Sequence, residues 1–89
     1  MVSTHQITNP VTIEQLTALA ENMPTEVHRG KGIVTLAAEH QRVLYQYAFR
    51  SWEILPIIAN DQAPDTLIWI GEHIDLNQLN QLMKEQFKS

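Results

Sequence analysis

Glu26-Val27-His28-Arg29-Gly30-Lys31-Gly32-Ile33-Val34 alternates cations with glycines and runs directly into apolar residues. It admits two readings, a phosphate-binding loop or a strand of unusual backbone, and the choice decides the fold. A P-loop follows G-x-x-x-x-G-K-[ST], between a strand and a helix, so that backbone amides and a helix N-terminus converge on the anion. Here glycine follows the lysine, no Ser or Thr stands at the magnesium position, and Ile33-Val34 favour a strand. The stretch therefore reads as a strand from Val27 to Leu36. Alternation puts Val27, Arg29, Lys31 and Ile33 on one side, and His28, Gly30, Gly32, Val34 and Leu36 on the other. Glycines inside a strand mark a bulge or a close approach of another segment. Gly30 and Gly32 leave a flat strip on which a helix or an aromatic ring can rest. Arg29 and Lys31 project oppositely, toward a carboxylate or a partner.

Upstream, Thr12-Ile13-Glu14-Gln15 has the form of a capping box, with Val11 and Leu16 placed as a hydrophobic staple. Ile13, Leu16, Leu19, Ala20 and Met23 recur at helical spacing, and Pro24 ends the helix. A strand at about Ser3 to Thr8 precedes it. Near the other end Asp75 is the N-cap, Gln78 stands three residues on, and Ile74 with Leu79 forms a second staple. Leu76, Leu79, Met83 and Phe87 form the apolar stripe with Leu82 on its flank, and Lys84 and Lys88 suit the negative end of the helix dipole.

Between the helices the pattern has a period of two. Arg42 to Arg50 carries Val43, Tyr45, Tyr47 and Phe49 on one parity. Trp52 to Ile58 is a further strand, which Pro56 marks as an edge strand or an irregular one. Leu67-Ile68-Trp69-Ile70 is apolar on both faces and belongs inside the sheet. The order β-α-β-β-β-β-α predicts a two-layer α+β domain, a mainly antiparallel sheet of four to five strands with both helices on one face.

With 89 residues the chain is one domain, and 44% hydrophobic with 18% charged residues makes it globular. Its net charge of -4, with six Lys and Arg, argues against a nucleic-acid footprint. No segment is apolar enough to span a membrane and no secretion signal is visible, so a cytoplasmic location is expected. Without cysteine there is no thiolate ligand or thiol nucleophile. His5, His28, His40 and His73 form no i,i+2 or i,i+4 ligand pair. Ser3, Ser51 and Ser89 lie in no nucleophile elbow, and Glu53, Asp61, Asp65, Glu72 and Asp75 are scattered. The residues point to a binding or accessory domain, with no catalytic residue and no metal site expected.

Taken in order, the capped first helix, Arg29-Gly30-Lys31-Gly32, Leu67-Ile68-Trp69-Ile70-Gly71 and the helix opening at Asp75-Leu76 resemble the C-terminal domain of the CobW family of P-loop GTPases. That family is linked to cobalamin synthesis and metal delivery. The resemblance runs from about Ser3 to Phe87. It maps Arg29, Lys31 and Gly32 onto an R-x-K-G signature, with Gly30 in its variable position, and Ile70 and Gly71 onto the strand end. In the family, GTPase activity and a metal-binding Cys-x-Cys-Cys motif lie in an N-terminal domain. Neither motif is in this sequence, so no cofactor is expected here, and GTP with zinc or cobalt is implied for a parent protein. The resemblance implies a piece of a longer chain acting in partner recognition, self-association or regulation of the GTPase. Its partners would be the N-terminal GTPase domain and a metalloprotein client, with Arg29 and Lys31 as contacts. Homo-oligomerisation would use the edge strand near Pro56. The loop Ala59 to Asp65 departs from the family by lacking the tryptophan often found before the last strand. The alternative is a free-standing small α+β enzyme or ligand-binding protein with a site between sheet and loop.

Overall fold

The structure is a computed structural model that describes residues 1–57 and 63–87. Its elements are β1 (Val2–Gln6), α1 (Ile13–Asn22), β2 (Val27–Leu36), β3 (Gln41–Ala48), β4 (Ser51–Pro56), β5 (Thr66–Gly71) and α2 (Leu76–Gln86). The five strands form one sheet in the order β1-β5-β2-β3-β4, with every neighbouring pair antiparallel. This is the expected α+β architecture at the upper strand number.

β2, β3 and β4 follow each other through short turns, as adjacent antiparallel strands should. β5 instead leaves β4 at the far edge and inserts between β1 and β2. Leu67 and Trp69 are fully buried on one side of β5 and Ile68 is half-buried on the other, so the strand takes a place with a neighbour on each side.

One face of the sheet holds the core. Val34, Val43, Tyr45, Tyr47, Leu67 and Trp69 are buried there with Leu16, Leu19 and Ala20 of α1 and Leu79, Leu82 and Met83 of α2. Both helices therefore cover the same face. Gly30 lies beneath Trp69 of this layer, and Gly32 lies against the backbone of β5. A Cβ on Gly30 would overlap the Trp69 ring, and one on Gly32 would overlap the Thr66 carbonyl. The glycine strip is a ring seat and a close strand contact. The rings of Tyr45 and Tyr47 meet Trp69 edge-on, at centroid distances of 6.0 and 5.6 Å, a favoured aromatic geometry.

Val27 departs from the expected alternation. The β2–β5 register shifts between Val27 and Arg29. The extra residue of this bulge returns Val27 to the core face, where it is buried, while Arg29 stays on the other. Phe49 also leaves its expected face: Ala48 pairs with Ser51, so Phe49 and Arg50 form a two-residue turn, both at positive φ. The next strand accordingly starts at Ser51, and residue 58 of its expected range lies outside the described residues.

The first helix has its full capping box. Thr12 Oγ1 accepts from the Gln15 amide at 3.1 Å, and Gln15 Oε1 accepts from the Thr12 amide at 2.8 Å. Val11 and Leu16, the staple pair, are both fully buried. Ile13 is exposed, against expectation, because the first turn extends beyond the sheet-facing stripe. In α2 the Asp75 carboxylate caps alone, accepting from the amides of Asn77 and Gln78 at 3.0 and 3.2 Å. Leu76 is likewise exposed and Leu82 is buried, so the stripe is rotated from the expected one. Lys84 stands in the last turn, and Lys88 lies outside the described residues.

Candidate functional site: the open face of the sheet

The helices leave the second face of the sheet uncovered among the described residues. Register assigns its side chains in rows across the strands. One row runs Val2, Ile70, Arg29, Ala48, Ser51; the next runs Thr4, Ile68, Lys31, Gln46, Glu53. Arg29 and Lys31 thus stand side by side on the central strand, both exposed. A shallow depression of about 460 Å³ surrounds them, lined also by Gln46, Ser51, Glu53 and Ile70.

No ion pair joins Arg29 or Lys31 to a carboxylate among the described residues. Glu53 shares the Lys31 row, but β3 intervenes, and two strand spacings put the backbones about 9–10 Å apart. Arg29 instead has its guanidinium 6.0 Å from the centroid of the Phe49 ring, whose other neighbour is the His28 imidazole, stacked at 5.8 Å. The upper end of the face is therefore a basic and aromatic cluster on an acidic chain.

The arrangement has no room for a phosphate cradle. β2 lies between β5 and β3, so its amides serve the ladders on both sides and none converges on an anion. The other glycine of the signature, Gly71, also has a packing role: a Cβ there would overlap the Glu26 carbonyl beside the bulge. Ile70 lies on the open face, 39% exposed.

The remaining candidates disperse. Asp65 ends in a clamp that sequence spacing did not indicate: its carboxylate pairs with Arg42 at 3.1 Å and accepts from Thr35 Oγ1 at 2.7 Å. Arg42 also donates to the Ala63 carbonyl at 2.6 Å, so this group fastens the entry to β5. Thr35 and Arg42 face each other across the β2–β3 hairpin, and only the fold brings Asp65 to them. Asp75 is spent on its cap. Ser3 Oγ lies 2.8 Å from His5 Nε2, and burial lowers the His5 pKa from its ordinary value. Among the described residues no three of His, Asp and Glu gather as metal ligands, and no helix is long and apolar enough to cross a membrane. Asp61 and the loop tip on which the alternative site depended lie outside the described residues, as does Ser89.

A glycine-seated, two-layer α+β domain with one open sheet face is the class that these observations define. Residues 3–86 match the family model described as the cobalamin synthesis protein cobW C-terminal domain, and the chain belongs to that family. Among solved structures it is similar to the Zn(II)-bound YjiA GTPase from E. coli, with a TM-score of 0.72 and 20% identity over 98% of this chain. A Zn(II)-bound triple mutant of YjiA GTPase gives the same values, a TM-score of 0.72 and 20% identity over 98% of the chain. The chain spans 29% of the length of each of these proteins, and the likeness is one of fold. No curated protein matches the chain.

Proposed function

We propose that this chain is a non-catalytic accessory domain of a CobW-like, GTP-dependent metallochaperone, serving partner recognition, self-association or regulation of the GTPase in the cytoplasm. The observation that carries the reading is the Arg29–Lys31 pair, exposed at the centre of an open sheet face and without a carboxylate partner among the described residues. In a chain of net charge -4, two adjacent unpaired cations favour an acidic surface, and the GTPase domain is the partner that family membership suggests. GTP and a divalent metal such as zinc or cobalt would be handled by that domain.

Titration calorimetry of the chain against a separately expressed CobW-family GTPase domain tests the reading. Binding is expected, and Arg29→Ser with Lys31→Ser weakens it by about 1–3 kcal/mol, the range for charge-assisted hydrogen bonds. Unchanged binding in the double variant removes these cations from the interface. A flat titration with the wild-type chain removes the GTPase domain as partner. Titration of the chain alone with GTP, zinc or cobalt is expected to give no heat, and micromolar binding of any of them overturns the accessory assignment.

A further inference from the structure

We infer that the chain self-associates through β1, whose free edge pairs antiparallel with β1 of a second copy across a two-fold axis. This gives a surface to the self-association named above and rests on that part of the reading alone. Binding to a GTPase domain succeeds or fails independently.

Among the described residues the sheet has two edges, β1 and β4. The edge at β4 is guarded. Ala48 and Ser51 close a two-residue turn, so Ser51, Glu53 and Leu55 bond back to β3, and Trp52, Ile54 and Pro56 face outward. Pro56 has no N–H to offer there, and Glu53 puts a charge on the strand, two devices that discourage strand addition. The expectation that pairing would occur near Pro56 thus selects the less suitable edge.

β1 carries neither device. The Ile7 amide donates to the Asp65 carbonyl at 2.9 Å, and the Gly71 amide donates to the Met1 carbonyl at 3.1 Å. Residues 1, 3, 5 and 7 therefore turn their backbone groups toward β5, and Val2, Thr4 and Gln6 present theirs to the open edge. The strand, Val-Ser-Thr-His-Gln, contains no proline, Lys, Arg, Asp or Glu, and its register with β5 is unbroken from Val2 to Gln6.

The occupant follows from symmetry and charge. A two-fold axis at Thr4 sets Thr4 opposite Thr4 of the second copy and Val2 opposite Gln6. All three are the outward-bonding residues, so each pair exchanges two backbone hydrogen bonds, about six in all. Threonine facing threonine is a favourable cross-strand pair. Two copies of net charge -4 repel, and this uncharged strand brings no like charges directly opposite one another.

Sedimentation equilibrium and amide exchange test the inference on the intact chain. The wild type is expected at twice the monomer mass of 10.2 kDa, with the Val2, Thr4 and Gln6 amides gaining protection as concentration rises. Thr4→Pro removes one outward N–H and leaves the β5 ladder alone, so it should fold and weaken the dimer at least tenfold. Thr4→Lys, which sets like charges opposite each other, should do the same. Arg29→Ser with Lys31→Ser should leave the mass unchanged. A wild-type chain monomeric at millimolar concentration overturns self-association altogether. A dimer that survives both Thr4 variants, or that the Arg29/Lys31 double variant dissolves, overturns the β1 surface while leaving self-association standing.

Discussion

Gly32 shows how much a single missing Cβ carries. Because a Cβ there would meet the Thr66 backbone, Gly32→Ala must push β5 away from β2. A loss of about 1–3 kcal/mol is expected in urea unfolding, the usual cost of overpacking. His40 is the opposite case, an exposed residue at φ 51 with a side chain that pays for the left-handed region; His40→Gly should gain about 0.5–1 kcal/mol. Fully buried Tyr45 and half-buried His5 make stability depend on pH. Burial, and then the neighbouring Tyr47 phenolate, push the Tyr45 pKa far above its ordinary 10.0. The folded state keeps that proton where the unfolded chain loses it, so stability is full below pH 10 and falls as pH rises beyond it. For His5, lowered from 6.5 by burial, the unfolded chain takes up the proton first. Stability is full above pH 6.5 and falls as the solution is acidified. Among the described residues Tyr45 Oη has no hydrogen-bond partner, so Tyr45→Phe should flatten the alkaline limb of a stability–pH profile at no cost in stability near neutrality.

At the scale of elements, legibility follows locality. The capping box at Thr12 was readable because all its parts lie within four residues, and Thr12→Ala should cost about 1 kcal/mol in thermal or urea unfolding. The β2 strand was readable over its whole length, Val27 to Leu36, and its glycines were correctly read as a close-packing strip. The bulge before Arg29 was not readable, since it depends on how Gly71 and the Glu26 carbonyl meet. Phe49 misled for a related reason. Its parity continues the run of Tyr45 and Tyr47, and nothing in Phe-Arg resembles the Asn-Gly that two-residue turns prefer. The positive φ of both residues holds the ring out beside Arg29 and His28, where it is 66% exposed. A Phe49→Asn substitution suits the turn better and should raise the unfolding midpoint.

At the scale of the molecule, the insertion of β5 decides what is exposed. It joins the first and last strands of the chain to the central one, closing the sheet around contacts that span nearly its whole length. Alternation alone placed Arg29 and Lys31 on a common face, but that this face stays uncovered follows from both helices packing on the other. The Asp65 clamp belongs to the same scale: Thr35, Arg42 and Asp65 converge only once β2, β3 and the entry to β5 are assembled.

The two tryptophans sit at different depths on one face of the sheet. Trp69 is sealed on its glycine seat, whereas Trp52, opposite Tyr47 on the same face, is half-buried on the edge strand and stacks on Tyr45 at 6.3 Å. The protein thus contains an inner and an outer optical reporter. Quencher added to the solvent should reach Trp52 and spare Trp69, a ligand confined to the open face should leave both unchanged, and only loss of the fold should change the light from both.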